Sequence, residues 1–211
     1  FPARVVVWRG DKLQFDGTDP RLATSEAAGE VKAHVDASAL RVTSVEARER
    51  RQNPAPPFTT PKLQQAAARS IGFSVRKTMT LAQRLYEGKP VGELGTVGLI
   101  TYMRTDSVRV ADEALVAVRE HIRTTYGETS LPPEPRYYRQ KKDVQDAHEA
   151  IRPTTLELPP EAVARHVEPD ELKLYRLIWN RFVASQMNPA VSEVTTVEIE
   201  ARRRDANHLA V

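Results

Sequence analysis

A tyrosine and an arginine two positions apart, Tyr102 and Arg104, are the residues of this chain best suited to covalent chemistry. They lie in the string Gly98-Leu-Ile-Thr-Tyr-Met-Arg-Thr-Asp-Ser107, whose first half is rich in strand-forming residues. Side chains two apart on a strand point the same way. A phenol titrates at about pH 10 and attacks weakly at neutral pH, but a neighbouring guanidinium stabilises the phenolate and binds phosphate through two hydrogen bonds. The pair suits attack on a phosphodiester, although an isolated Tyr-x-Arg is more often an ordinary strand end.

A second string, Gln145-Asp-Ala-His-Glu-Ala-Ile-Arg-Pro-Thr154, contains two more residues suited to binding a phosphate. His148 can donate a hydrogen bond to a phosphate or phenolate oxygen. Arg152 is a candidate second phosphate contact, with a surface salt bridge to Glu149 as the commoner alternative. A lone histidine is more often structural or solvated, so the surrounding string carries this interpretation.

Both strings resemble the active-site signatures of the type IA DNA topoisomerases. The catalytic tyrosine of that family lies in a G-x-I-T-Y-[MP]-R-T-D-S string, and a downstream D/E-A-H-E-A-I-R-P string supplies a histidine and an arginine. A third similar stretch, Pro57-Phe-Thr-Thr-Pro-Lys-Leu-Gln-Gln-Ala67, precedes both. With Met103, the string is more similar to that of the bacterial topoisomerase I branch, because many topoisomerase III relatives carry proline at this position. The resemblance is most specific from Pro56 to Thr154 and continues more weakly through Met187.

The resemblance implies that Tyr102 cuts one DNA strand and holds its 5′ end as a phosphotyrosine while another strand passes, which relaxes negative supercoils. Arg104 would bind the scissile phosphate. His148 would donate a hydrogen bond to that phosphate or to the phenolate oxygen. DNA, single-stranded at the cleavage site, is the implied partner, and Mg²⁺ is the implied cofactor of a monomeric parent acting on the bacterial nucleoid. The family binds Mg²⁺ in a toprim domain that normally precedes this region, and no Asp-x-Asp motif with an upstream Glu occurs here. We therefore expect a fragment without the metal site, inactive alone.

Composition is compatible with this interpretation. The chain has 211 residues, 40% of them hydrophobic, with 15 prolines and no cysteine. The absence of cysteine excludes disulfides and thiolate metal sites and fits a cytoplasmic protein. No apolar run approaches the ~18 residues of a membrane span, and the five histidines show no metal-ligand spacing.

Basic residues are concentrated in two stretches, although the net charge is only +3. Release of counterions makes such stretches attractive to nucleic acid, with solvated helix faces as the alternative. The first stretch, 58–86, contains no acid, and its basic residues are Lys62, Arg69, Arg76, Lys77 and Arg84. The second stretch contains Tyr137 and Tyr138 together with Arg136, Arg139, Lys141 and Lys142.

The first 52 residues predict β structure. A hairpin turn is expected at Arg9-Gly10-Asp11, between strands 5–8 and 13–15. Further strands are expected at 31–35 and 40–45. The proline-rich segment 53–57 then interrupts regular structure and marks a boundary.

Helices dominate the middle of the chain. One helix follows Pro61 and ends at Gly72; the next is capped by Ser74, ends at Gly88 and has the stripe Met79, Ala82, Leu85 and Tyr86. The short turn between them gives a helix-turn-helix pattern. Residues 92–97 are expected to form a loop and the string around His148 a short helix. Longer helices are expected at 111–126 and after Pro169, and a strand at 191–200.

The order β, helical, β predicts an α+β fold. A helical catalytic-tyrosine domain, 58–188, would be inserted into a β-rich arch formed by 1–57 and 189–211. The alternative, two sequential domains followed by a lone strand, would leave an unpaired strand edge.

Two other functions are compatible with part of the sequence. A non-catalytic helix-turn-helix DNA-binding module would use the basic helix pair but would give Tyr102, Arg104 and His148 no role. Another tyrosine-based strand-transfer enzyme, such as a recombinase or relaxase, would require clustered arginines or a histidine metal triad.

Overall fold

The computed structural model describes residues 3–14, 19, 23–138 and 148–203. The predicted α+β class is confirmed. The chain divides into two compact units, one formed by Phe1–Arg50 with Ser192–Val211 and the other by Arg51–Val191. Among the described residues, no helix has the length and apolar character needed to cross a bilayer.

The first unit begins with a hairpin of strands β1 (Val7–Trp8) and β2 (Asp11–Lys12). Its two turn residues, Arg9 and Gly10, have φ angles of 53° and 91°. Two successive positive φ angles characterise the turn that matches the twist of paired strands. The predicted hairpin turn is confirmed.

Helix α1 (Ser25–Asp36) contradicts the strand predicted at 31–35. Thr24 caps the helix by accepting a hydrogen bond from the Ala27 amide at 3.1 Å. The helix contains three alanines, two glutamates and one lysine, which favour helix, and Val31 is its one buried residue. The strand prediction is wrong, because the Thr24 cap and the helix-favouring residues outweigh the strand preference of the valines.

Two long strands complete this part of the chain. Strand β3 (Ser38–Gln52) pairs with β6 (Ala190–Arg203). The Thr43 hydroxyl donates to the Glu198 carbonyl and the Ser192 hydroxyl to the Arg50 carbonyl, so the strands run antiparallel. Both strands extend beyond their predicted bounds.

The second unit opens with the predicted helix pair, α2 (Thr60–Ile71) and α3 (Val75–Glu87). Gly72 ends α2 in the left-handed conformation, with φ 69°. Ser74 caps α3 by accepting from the Lys77 amide at 3.2 Å. These features confirm the turn chemistry expected from the sequence.

The remaining elements pack around one core. Strands β4 (Lys89–Pro90) and β5 (Thr96–Val97) enclose a short 3₁₀ turn where only a loop was expected. Helices α4 (Asp112–Tyr126), α5 (Pro160–Val163) and α6 (Pro169–Ser185) follow, and only α5 was not predicted. The core side chains that are essentially inaccessible to solvent include Leu63, Leu85, Leu99, Met103, Ile122, Ile178 and Phe182.

Candidate active site

The string that carries Tyr102 is extended but is not a regular strand. Only Ile100 forms a ladder contact, an isolated bridge to Pro153. Burial nevertheless alternates along the string: Met103 and Thr105 are buried, whereas Tyr102 and Arg104 are exposed. The predicted regular strand is wrong, but the alternation inferred from it holds.

Thr60, at the start of α2, forms hydrogen bonds with the Tyr102 string on both sides of Arg104. Its hydroxyl donates to the Met103 carbonyl at 2.6 Å and accepts from the Thr105 amide at 2.8 Å. The Thr60 amide donates to the Thr105 carbonyl at 2.8 Å. The stretch that contains Thr60 therefore fixes the backbone of the string that contains Tyr102.

The string around His148 is extended as well, so the short helix expected there is wrong. Its backbone finds partners far away in sequence: the Ile151 amide donates to the Phe58 carbonyl at 2.8 Å, and the Thr101 amide to the Arg152 carbonyl at 2.9 Å. The Thr101 hydroxyl donates to the Ala150 carbonyl at 2.7 Å. These bonds replace the local ones a helix would make.

Tyr102 is 41% exposed, and its ring packs edge to face on Tyr86, with centroids 5.3 Å apart and planes at 65°. Arg104 and His148 are also exposed. Among the described residues, no hydrogen bond or ion pair involves the side chains of these three predicted site residues. Their joint engagement of a phosphate stays a prediction.

Arg152 is tied into the protein by a largely buried ion pair rather than a surface one. Its Nη2 donates to Glu149 Oε2 at 2.7 Å, and the two side chains are 12% and 20% exposed. Glu149 Oε1 also accepts from the Ala111 amide at 2.6 Å, just before α4. Arg152 Nε is buried without a hydrogen-bond partner. Glu149 therefore links the second motif to α4, and one donor of Arg152 remains unused.

The basic residues of α3 differ in how far acids of α6 neutralise them. Lys77 lies 2.6 Å from Asp170, and Arg84 lies 3.9 Å from Glu171, which Lys89 approaches to 2.6 Å. Hydrogen bonds from Lys77 and then Lys173 hold the pKa of Asp170 below its usual value. The sequence could not reveal this pairing, because the acids come from a distant helix.

A groove of about 550 Å³ connects α3 to Arg104. Its positive groups are Arg76, Arg84 and Arg104, and Glu87 is its single acid. The groove is lined by Arg76, Met79, Thr80, Gln83, Arg84, Glu87 and Arg104. Of the other predicted basic contacts, Lys62 and Arg69 are exposed on α2.

The second basic stretch is described only in part, since Arg139, Lys141 and Lys142 lie outside the described residues. Arg136 Nε donates to the Met187 carbonyl at 3.1 Å. The Tyr138 hydroxyl donates to the Ser185 carbonyl at 2.7 Å, and burial raises the pKa of Tyr138.

Asp106 and Ser107 have different surroundings. Ser107 is fully buried and its hydroxyl accepts from the Arg109 amide at 3.1 Å, so it stabilises the turn after the string. Asp106 is exposed.

Tyr86, Thr60 and Glu149 were not identified as site residues from the sequence. Tyr86 reads as one more member of an apolar helix stripe, and only the structure places its ring against Tyr102. Thr60 lies inside one of the quoted motifs, and that location was its only signal. Glu149 was expected only as a surface salt-bridge partner of Arg152, and the structure shows that this pair is largely buried.

The described residues contain no group of three or more histidine, aspartate or glutamate side chains arranged to hold a metal ion. They therefore do not fit a Mg²⁺ site.

The sequence matches the family described as DNA topoisomerase over residues 9–209. It is 46% identical over 203 residues to a DNA topoisomerase 1 of Xylella fastidiosa, covering 95% of this chain and 25% of that protein. It is 40% identical to the DNA topoisomerase 1 of Helicobacter pylori, covering 95% of this chain and 27% of that protein. The structure of full-length topoisomerase I from Thermotoga maritima superposes with a TM-score of 0.65 at 38% identity, over 87% of this chain and 28% of that one.

Proposed function

Because the chain belongs to the bacterial DNA topoisomerase family, we propose that it forms the tyrosine-bearing part of a type IA enzyme that relaxes negatively supercoiled DNA. The chain spans about a quarter of the length of the curated relatives it matches, so the activity belongs to the whole protein. In the bacterial cytoplasm its substrate would be nucleoid DNA.

One observation carries the proposal: three motifs far apart in sequence meet through their backbones. Phe58 bridges Ile151, and Ile100 bridges Pro153. Thr60 holds the backbone on both sides of Arg104. An exposed phenol and an exposed guanidinium project from a segment that is otherwise fixed by hydrogen bonds. Such fixation keeps a nucleophile in place without cost at the moment of reaction.

In the proposed reaction, the Tyr102 oxygen attacks a backbone phosphorus and forms one phosphorus–oxygen bond. The bond from phosphorus to the 3′ oxygen of the neighbouring nucleotide breaks, which leaves a 5′-phosphotyrosine and a 3′ hydroxyl. The phenol loses a proton and the leaving oxygen gains one, so nothing is oxidised or reduced. Because one phosphodiester replaces another, the free 3′ hydroxyl can reverse the step after strand passage.

Arg104 would bind the scissile phosphate and offset the negative charge that develops on it. His148 would donate a hydrogen bond to the phosphate or to the phenolate oxygen. Arg152 has less freedom, since Glu149 holds one end of its guanidinium. Its Nη1 also donates to the Pro153 carbonyl at 2.9 Å, which further fixes the guanidinium.

Magnesium chemistry is not assigned to these residues, because the described part of the chain does not fit a metal site. We propose that the 211-residue chain alone leaves supercoiled DNA unchanged in the presence of Mg²⁺. The metal and the proton donor for the leaving hydroxyl would be supplied by other parts of the full-length protein.

The groove along α3 supports DNA as the partner. Arg76 and Arg84 extend the positive charge of Arg104 along the helix, which suits the phosphates of a strand next to the cleavage site. The non-catalytic helix-turn-helix alternative is weaker, because Lys77 of its basic helix pair is paired with Asp170 of α6 and because it gives Tyr102 no role.

The proposal is tested with the full-length protein and a single-stranded oligonucleotide. Tyr102→Phe should abolish cleavage, since it removes the nucleophile. Arg104→Ala should slow cleavage while changing DNA binding little, because one phosphate contact among many adds little to affinity. His148→Ala should impair cleavage less than Tyr102→Phe. Tyr126→Phe, at a tyrosine of α4 that is 51% exposed, is the control and should cleave normally. Cleavage by Tyr102→Phe at the normal rate would overturn the proposal.

A further inference from the structure

Tyr86 packs its ring edge to face on the ring of Tyr102, and both side chains are 41% exposed. Such a pair favours one relative orientation of the two rings. Its interaction energy comes in addition to the energy gained from burying their surface. Among the described residues, no hydrogen bond or ion pair restrains the Tyr102 side chain. The Tyr86 ring is therefore the aromatic contact that limits how Tyr102 can turn.

The backbone brings the two rings together at a fixed place. The Leu99 amide donates to the Leu85 carbonyl at 2.8 Å, which joins the end of α3 to the segment leading to Tyr102. Gly98 allows this approach, because a Cβ there would lie 2.7 Å from the Tyr86 carbonyl oxygen. Contacts that close essentially do not occur for real Cβ atoms, so any larger residue would push the two segments apart.

We propose that Tyr86 is a positioning residue for Tyr102: its ring holds the phenol in the rotamer from which the oxygen can reach the scissile phosphate. This inference rests on the proposed function, since it assigns Tyr86 a role in the reaction of Tyr102. The Tyr86 ring alone holds the phenol in place, and the Tyr86 hydroxyl is not required. The ring affects the rate of the chemical step rather than DNA affinity.

The expected size of the effect follows from rotamer populations. A tyrosine released from a neighbouring ring distributes among three staggered χ1 wells, which by itself leaves about one third in the reactive one. The pair energy is what favours the reactive well, and its size limits the effect, so Tyr86→Leu should lower the cleavage rate about 3- to 10-fold. Tyr86→Phe keeps the ring and should cleave at close to the normal rate.

Single-turnover cleavage of a saturating oligonucleotide by the full-length protein measures this rate, and a separate titration measures DNA affinity. Tyr126→Leu is the matched control, because Tyr126 is also exposed and also packs edge to face, but on His121. We expect Tyr86→Leu alone to be slow, with its DNA affinity unchanged within about twofold. Normal cleavage by Tyr86→Leu would overturn the inference. So would equal defects in Tyr86→Leu and Tyr86→Phe, or a defect confined to affinity.

A spectroscopic measurement on the 211-residue chain tests the contact itself without activity. The Tyr86 ring current should displace the ring-proton resonances of Tyr102, which are assigned by their loss in Tyr102→Phe. Tyr86→Leu should move these resonances, and Tyr86→Met provides a second replacement without a ring. Unchanged resonances in both variants would refute the positioning role. Failure of the proposed function would appear differently, as cleavage that survives Tyr102→Phe whatever residue occupies position 86.

Discussion

The Thr60 hydroxyl forms hydrogen bonds with the backbone on both sides of Arg104. Thr60→Val keeps the shape and the branched Cβ but removes the bond donated to the Met103 carbonyl at 2.6 Å and the one accepted from the Thr105 amide at 2.8 Å. Both partners belong to buried residues. A buried polar group left without a partner costs about 1–3 kcal/mol. With two such groups, we expect a loss of about 3 kcal/mol.

Urea denaturation of the 211-residue chain, monitored by the circular dichroism signal of its helices, measures this loss in the free energy of unfolding. In thermal unfolding, a domain of this size loses about 2–4 °C per kcal/mol, so the midpoint should fall by about 6–12 °C. The matched control is Thr124→Val, because the exposed Thr124 hydroxyl bonds only to carbonyls of its own helix. It should cost less than about 0.5 kcal/mol. Equal losses in the two variants would show that the clamp at Thr60 contributes nothing special.

Three further predictions concern the same unit. Glu149→Gln should destabilise it by about 2–3 kcal/mol in urea, because the largely buried Arg152 loses its counter-charge; a change below about 0.5 kcal/mol would contradict this. Burial raises the pKa of Tyr138, so the unfolded state releases that proton first and stability should fall as pH rises above about 10. Tyr138→Phe should reduce that alkaline loss; an unchanged pH profile would refute the assignment. Arg76→Gln should lower the slope of log binding constant against log salt for single-stranded DNA by about 0.7. Arg69→Gln, outside the groove, should change that slope less, and equal changes would exclude the groove as the DNA path.

The sequence predicted the elements whose signals are local. The two helices of the first basic stretch were identified because Gly72 and Ser74 end and begin them with turn chemistry that the structure reproduces. The long helix predicted after Pro169 is confirmed as α6, which buries Leu174, Ile178 and Phe182. Helix α1 was missed although its cap was present, because the valines within it were taken as strand residues.

The parts that the sequence could not predict depend on contacts between distant residues. The string around His148 is extended because Phe58 and Thr101 supply its hydrogen-bond partners, and no local pattern encodes those partners. Likewise, Asp170 of α6 forms an ion pair with Lys77 of α3, and these two residues are far apart in the sequence. That Tyr102 and Arg104 project to the same side could be predicted, since alternation along an extended chain depends only on backbone geometry. The exposure of Tyr102 is known only from the structure.

The most direct test of the central claim is to identify the residue that carries the DNA. A single-stranded oligonucleotide is cleaved by the full-length protein, and the covalent adduct is trapped, digested with nuclease and trypsin, and sequenced by fragmentation mass spectrometry. Trypsin cuts after Arg84 and Arg104 but not between Lys89 and Pro90, so one peptide carries both Tyr86 and Tyr102. We predict that the fragment masses place the nucleotide on Tyr102. A nucleotide on Tyr86, or on any other peptide, would contradict the account.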